Sequence, residues 1–348
     1  MIRNGRGTSR EMKNSKLMVI MLMIAVLMIS GCGANKESQA TGNSGANNQA
    51  AMETEAQQGE VQAAESTELE TKVIKYLDQE YTIPANVERI VITGAVEAME
   101  DSIVLDVQPV GAISFAGEFP ELFAKVTENA VSIGEKTEPN FEQILALKPD
   151  VILGSSKFKP EVAEQLNKIA TTIPYSHIST NWESNLRLLG ELSGKSDEAE
   201  AAITKYKSDL EAGKAEIGEA LKGKKVVTLR IRGGEAYVYP KDVFFNPVLY
   251  ADLGIDVPAE IEAAQAQELL STEKLAEMNP DYLFIQFSEA ENKDTPKALE
   301  EFQNDPIVGS LDAFKNGHVF VNVVDPLAQG GTAYSKIEFL KAALENLK

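Results

Sequence analysis

Cysteine occurs once in these 348 residues, histidine twice and tryptophan once. A single cysteine excludes an internal disulfide framework. Two histidines, His177 and His318, are too few for a bare zinc or manganese site, which usually gathers several imidazoles with carboxylates. His177 falls within a predicted strand. His318 opens HVFVN and reads as a residue at a strand start, not a haem ligand. No Ser–His–Asp order presents itself, no GxSxG elbow occurs, and GELSGKS at 190–196 misses the phosphate-loop spacing and sits at a helix end. Positive charge is scarce as well: 33 Lys and Arg stand against 53 Asp and Glu, a formal charge of −20. Nucleic-acid affinity rests on neutralising phosphates with basic side chains, so a nucleic-acid function is set aside.

One long uncharged apolar run is present, LMVIMLMIAVLMI at 17–29, preceded by Arg3, Arg6, Arg10, Lys13 and Lys16. It falls short of the roughly 20 residues a spanning helix needs. A basic n-region before an apolar h-region is the pattern of a secretory signal. Ile29, Ser30, Gly31 and Cys32 then resemble the lipobox of bacterial lipoproteins, in which cysteine becomes the acylated first residue after cleavage. The alternative is a signal-anchor with an incidental cysteine. On the lipoprotein reading, residues 1–31 are the signal peptide and Cys32 is the lipidation site. Residues 32–71 then form a flexible tether, because a stretch rich in Gly, Ala, Asn, Gln, Ser and Glu cannot bury enough apolar surface to order itself. The folded body would begin near Lys72 and sit on the extracytoplasmic face of a cell membrane. Loss of the basic leader leaves the mature chain near −24.

Apolar, β-branched runs predict strands at 89–93, 110–113, 150–154 and 172–178, with helical stretches at 96–105 and 160–170 between them. The alternation restarts at 225–231 and continues through 282–287 and 318–322, and a helix at 335–347 closes the chain. This is parallel βαβ construction. Between the halves, Ala199, Ile203, Tyr206, Leu210, Ile217 and Leu221 keep one helical face over 196–222. The expected fold is α/β: two Rossmann-like lobes with central sheets, 72–195 and 223–348, joined by one long helix. An internal echo supports two similar lobes. FEQILALKPDVIL at 141–153 and TEKLAEMNPDYLF at 272–284 align without gaps, pairing Glu142 with Glu273, Pro149 with Pro280 and Asp150 with Asp281.

The order of these features resembles the iron-siderophore substrate-binding proteins of bacterial ABC importers, the class with two α/β lobes bridged by a single helix. ERIVITGAVEAME at 88–100, EPNFEQILALKPDVIL at 138–153, STEKLAEMNPDYLFI at 271–285 and LDAFKNGHVFVN at 311–322 carry the resemblance, together with the lipobox and the 196–221 helix. It implies a monomeric, non-enzymatic binding protein with no intrinsic cofactor. A ferric siderophore would sit between the lobes and be delivered to a membrane permease driven by an ATPase. The resemblance also implies that Glu142 and Glu273 meet permease arginines. A helix-dipole role is open beside that one, because each carboxylate follows an N-cap residue, Asn140 or Ser271, by two positions. Haem and cobalamin binders share the scaffold and stand as alternatives, with a surface-anchored hydrolase behind them.

Cleft residues are expected at the carboxyl ends of strands. Arg230 and Arg232 share one face of a predicted strand, and guanidinium forks suit oxyanions; structural salt bridges are the competing role. Tyr237, Tyr239 and Phe244 follow in LRIRGGEAYVYPKDVFF. Further candidates are Gly94, Glu97, Lys157, Trp182, Gln286, Gln329 and Tyr334. Citrate-type relatives carry arginines in the loop corresponding to 323–337, and this one has none. A hydroxamate or hydroxamate–citrate chelate is therefore expected.

Overall fold

The computed structural model describes residues 70–348. The predicted signal peptide, Cys32 and all but the last two residues of the predicted tether lie outside the described residues. The first element is a hairpin that the sequence reading did not contain: β1 (Thr71–Tyr76) pairs antiparallel with β2 (Gln79–Pro84). Its turn residues Leu77 and Asp78 both have positive φ, so it lacks the Asn-Gly or Gly-Gly signal by which such turns are recognised. Ile74, Tyr76 and Ile83 are buried beneath it, and the Tyr76 hydroxyl donates to Asn185 Oδ1 at 2.6 Å.

The first sheet contains β3 (Ile90–Thr93), β4 (Gly111–Ser114), β5 (Val131–Glu135), β6 (Glu138–Pro139), β7 (Val151–Ser155) and β8 (Thr172–Tyr175). Its order is β6-β5-β4-β3-β7-β8, parallel except for the short β5–β6 pair. Unbroken apolar runs such as Ile90–Ile92 form its centre because helices cover both faces of such a sheet. The chain leaves β3 toward β4 on one side and returns as β7 on the other, so the carboxyl end of β3 is a topological switch point. The second sheet contains β9 (Val226–Arg232), β10 (Glu235–Val238), β11 (Glu268–Leu269), β12 (Tyr282–Phe287) and β13 (Val319–Val321), in the order β11-β10-β9-β12-β13. β9, β12 and β13 are parallel, whereas β10 and β11 are antiparallel additions. Gly233 and Gly234, at φ 58° and 86°, make the two-residue turn between β9 and β10.

The echoed Pro-Asp units do the same work twice. Asp150 Oδ2 accepts from the backbone N–H groups of Glu88 and Arg89, at 2.8 Å each, just before β3. Asp281 Oδ2 accepts from Lys225 N at 2.9 Å, just before β9. Each aspartate fixes where the neighbouring central strand begins.

The long helix runs Ser196–Ile217, five residues shorter than the predicted 196–222, and buries Ala199, Ile203, Tyr206, Leu210, Gly213 and Ile217. At a rise of 1.5 Å per residue it spans roughly 33 Å. Gly213 lies on its buried face because Leu344 occupies the space a side chain would need; a Cβ there would stand 2.5 Å from Leu344 Cδ2. The C-terminal helix, Ala333–Asn346, packs against the first helix (Val96–Leu105), the Trp182–Ser193 helix and the long helix. It therefore reaches across to first-lobe elements instead of staying with the sheet that precedes it. The described residues, 70–348, belong to one compact unit.

Candidate functional site

The carboxyl ends of the two sheets face a shared cavity of about 460 Å³. The first lobe contributes Glu97, Lys157 and residues His177–Thr180; the second contributes Arg230, Arg232, Tyr239, Asp242, Val243, Phe244 and Gln267. Gln329 and Gly331, from the segment leading into the C-terminal helix, complete the lining. Ser179 Oγ donates across the cavity to the Asp242 carbonyl at 2.6 Å. Ile178 and Val243 present half-exposed apolar surface from opposite lobes.

Cationic groups converge here although the chain as a whole is acidic. Arg230 lies 5.9 Å over the Phe244 ring and forms a fork with Glu291, Nε to Oε2 at 2.9 Å and Nη2 to Oε1 at 2.8 Å. Arg232 Nε is 3.5 Å from the same Glu291 Oε1, and its side chain is 53% exposed against 14% for Arg230. Both competing readings of the two arginines thus apply together: they are salt-bridged, and they line the cavity. Lys157 Nζ stands 3.6 Å from the buried Glu97 carboxylate. Lys136, in the turn after β5, approaches Gln329 Oε1 at 3.5 Å. Burial holds its ammonium below the usual lysine pKa; Glu97 opposes that shift, and Lys157 and Arg230 add to it.

Five sequence candidates do not line this cavity. Gly94, at φ 67°, lies under the Phe158 ring, where a Cβ would be 2.3 Å from Phe158 Cζ; close packing accounts for it. Tyr237 is held in mid-strand, opposite Arg230 in β9 and Leu269 in β11. Trp182 is buried edge-on to Tyr206 at 5.2 Å, with Lys336 5.7 Å over its ring. Gln286 is buried beneath the loop and donates to the carbonyls of Asp325 and Ala328 at 3.2 and 3.1 Å. Tyr334 is half-buried in the first turn of the C-terminal helix, its hydroxyl pushed up to about 12 by burial first and by Glu338 and Asp325 next.

Conversely, the sequence did not point to His177 and Gln267, which line the cavity, or to Lys136 and Glu291, which contact its lining residues Gln329 and Arg230. The predicted strand 172–178 ends at Tyr175, which frees His177 to line the cavity with Nδ1 2.8 Å from Ser156 Oγ. Burial first, then Lys157, lowers its pKa. His318 stacks on Tyr282 at 4.4 Å, away from the cavity.

The Gln329 segment is fastened by two buried acids on the first helix. Glu100 accepts from Gln329 N at 2.7 Å and from the hydroxyls of Thr332 and Ser335, both at 2.5 Å. Asp101 accepts from Ala333 N at 2.9 Å and Tyr175 OH at 2.8 Å. Gly330, at φ 90°, lies so close to the Phe244 backbone that a Cβ would stand 2.4 Å from its carbonyl carbon.

The sequence pattern of the periplasmic binding protein family matches residues 104–322. The chain belongs to that family. It is 47% identical to the iron-uptake system-binding protein of Bacillus subtilis, over 97% of this chain and 99% of that one. A crystal structure of FeuA from B. subtilis, the triscatecholate siderophore binding protein complexed with ferri-bacillibactin, superposes with a TM-score of 0.74 at 52% identity. That match covers 79% of this chain and 98% of the other. The iron(3+)-hydroxamate-binding protein YxeB of the same organism is 27% identical over 90% of this chain and 91% of its own length. A periplasmic binding protein holds its ligand without transforming it, which sets aside the hydrolase alternative. The hydroxamate preference read from the arginine-free 323–337 loop finds no support in the FeuA complex. The cations that line the cavity are instead Lys157 and, from β9, Arg230 and Arg232.

Proposed function

We propose that this protein is the lipid-anchored, extracytoplasmic binding component of an ABC importer for a ferric siderophore of the triscatecholate type. The observation that carries the reading is the convergence of Lys157, Arg230 and Arg232 on one interlobe cavity, with Lys136 against its lining residue Gln329, in a chain of net charge −20. A ferric triscatecholate is a trianion whose catecholate oxygens accept charge-assisted hydrogen bonds, whereas a neutral ferric trihydroxamate brings no net negative charge for those cations to meet. The ferri-bacillibactin complex of FeuA supports the same choice. Cys32 would carry the lipid, and Glu142 and Glu273 would meet the permease.

Calorimetric titration with ferric triscatecholate, trihydroxamate and citrate complexes, with haem and cobalamin as controls, tests the ligand class. Calorimetry is preferred to tryptophan quenching because Trp182 lies outside the cavity lining. The triscatecholate is expected to bind tightest, and a trihydroxamate binding tighter would overturn the assignment. Arg232→Ala removes an exposed guanidinium and should weaken the triscatecholate about tenfold to a hundredfold, the range of a lost charge-assisted hydrogen bond. An unchanged titration would leave Arg232 a purely structural ion pair.

A further inference from the structure

Among the described residues, Glu291 is the acid paired with both cavity arginines, and its position is built, not incidental. It ends the short turn Glu289–Glu291, which is clamped to the β9–β10 hairpin at three points. Gly233 N donates to the Glu291 carbonyl at 3.1 Å, Gly234 N donates to Asn292 Oδ1 at 3.0 Å, and Asn292 Nδ2 donates to the Ile231 carbonyl at 3.0 Å. Asn292 is almost fully buried. A carboxylate delivered so rigidly fixes whatever it binds. What it binds through two parallel hydrogen bonds is Arg230, whose guanidinium is thereby held over Phe244. Arg232 touches the same oxygen only at 3.5 Å and stays largely exposed.

By charge alone, an acid in an anion-binding cavity opposes the ligand. The geometry gives the opposite sign. A guanidinium with one edge occupied by Glu291 keeps its other N–H donors aimed without the ordering cost that a free arginine incurs on binding. We propose that Glu291 is a positioning residue that strengthens capture of an anionic ferric chelate by pre-orienting Arg230, and that it leaves Arg232 as the mobile second contact. This rests on the anionic-siderophore reading above.

A double-mutant cycle separates the two effects. Glu291→Ala, and the isosteric Glu291→Gln, should each weaken ferric triscatecholate binding about tenfold, a loss of about 1.4 kcal/mol, despite removing a negative charge. In an Arg230→Ala background, Glu291→Ala should cause no further loss and should slightly tighten binding, because only its opposing charge is left to remove. Tighter binding on Glu291→Ala in the otherwise native protein would overturn the proposal. So would equal losses in both backgrounds, which would mark general support of the hairpin. If Glu291→Ala does not fold, as judged by circular dichroism, Glu291→Gln supplies the cycle. Should the native protein prefer another anionic ferric complex, the triscatecholate assignment fails, while the same cycle with that complex still decides the role of Glu291.

Discussion

A protein carrying Glu142→Lys and Glu273→Lys together is expected to lose siderophore-dependent iron uptake in whole cells while its affinity for the ferric complex stays within about twofold of native. Both carboxylates are exposed, and neither lines the cavity. Each follows an N-cap residue in a short helix: Asn140 Oδ1 accepts from Gln143 N at 3.1 Å, and Ser271 Oγ accepts from Lys274 N at 3.3 Å. The opposite sides of these helices are buried through Ile144 in one and Leu275 and Met278 in the other, so the glutamates face outward. A structural role for each is limited to the helix-dipole term of about 0.3–1 kcal/mol, small beside a domain stability of about 5–15 kcal/mol. Loss of uptake would therefore report a lost partner contact. Glu161→Lys serves as the control, since Glu161 is also an exposed acid in the first turn of a short helix, Pro160–Asn167, but has no counterpart in the echo. Uptake that survives the double reversal, or affinity that falls tenfold with it, would remove the docking role.

What the sequence made legible follows from how locally each feature is determined. Strands β3 and β12 read directly because central strands of a covered parallel sheet are continuous apolar runs. The long helix read correctly because one apolar stripe persists through it, and only its last turn was overestimated. The echo pointed to two equivalent units, and Asp150 and Asp281 show that the equivalence extends to the hydrogen bonds that start each central strand. The hairpin 71–84 was hidden because Leu77–Asp78 is not a recognisable turn pair. The antiparallel edge β10–β11 was hidden because two-residue pairings carry no periodicity. The cavity divided in the same way. Arg230 and Arg232 were visible as alternation within a strand. Lys136 and His177 enter from loops whose placement depends on contacts far away in sequence. Gln286 looked like a ligand contact because it ends a strand and Trp182 because it follows one, yet burial turns Gln286 onto the Asp325 and Ala328 carbonyls and Trp182 against Tyr206 and Lys336.

The largest effect on stability is expected at Glu100 and Asp101. Burial, ahead of the opposing hydrogen bonds, pushes Glu100 up to about 8 and Asp101 up to about 7. The folded protein thus binds more protons than the unfolded chain between the ordinary carboxylate range and these raised values. Stability from this pair is fully present below the unfolded pKa values, near 4, and is lost as pH rises through about 7 to 8. Among the flanking groups, the hydroxyls of Tyr175, Thr332 and Ser335 stay neutral throughout, and Lys136, held below the usual lysine pKa by burial, acts with the opposite sign. Carboxylates with lowered pKa, such as Asp281 and Glu135, act in the opposite direction and at more acidic pH, so the two windows separate. Thermal melts from pH 5 to 9 should show the native protein losing stability through neutrality, with a flatter profile for Glu100→Gln. Glu100→Ala should cost about 3–5 kcal/mol at pH 5, because Gln329 N and the Thr332 and Ser335 hydroxyls lose a buried acceptor together, and less at pH 9. Superimposable pH profiles for the native and Glu100→Gln proteins would show that the pair stays ionised across this range and acts only as a fixed clasp between the first helix and the segment that carries Gln329.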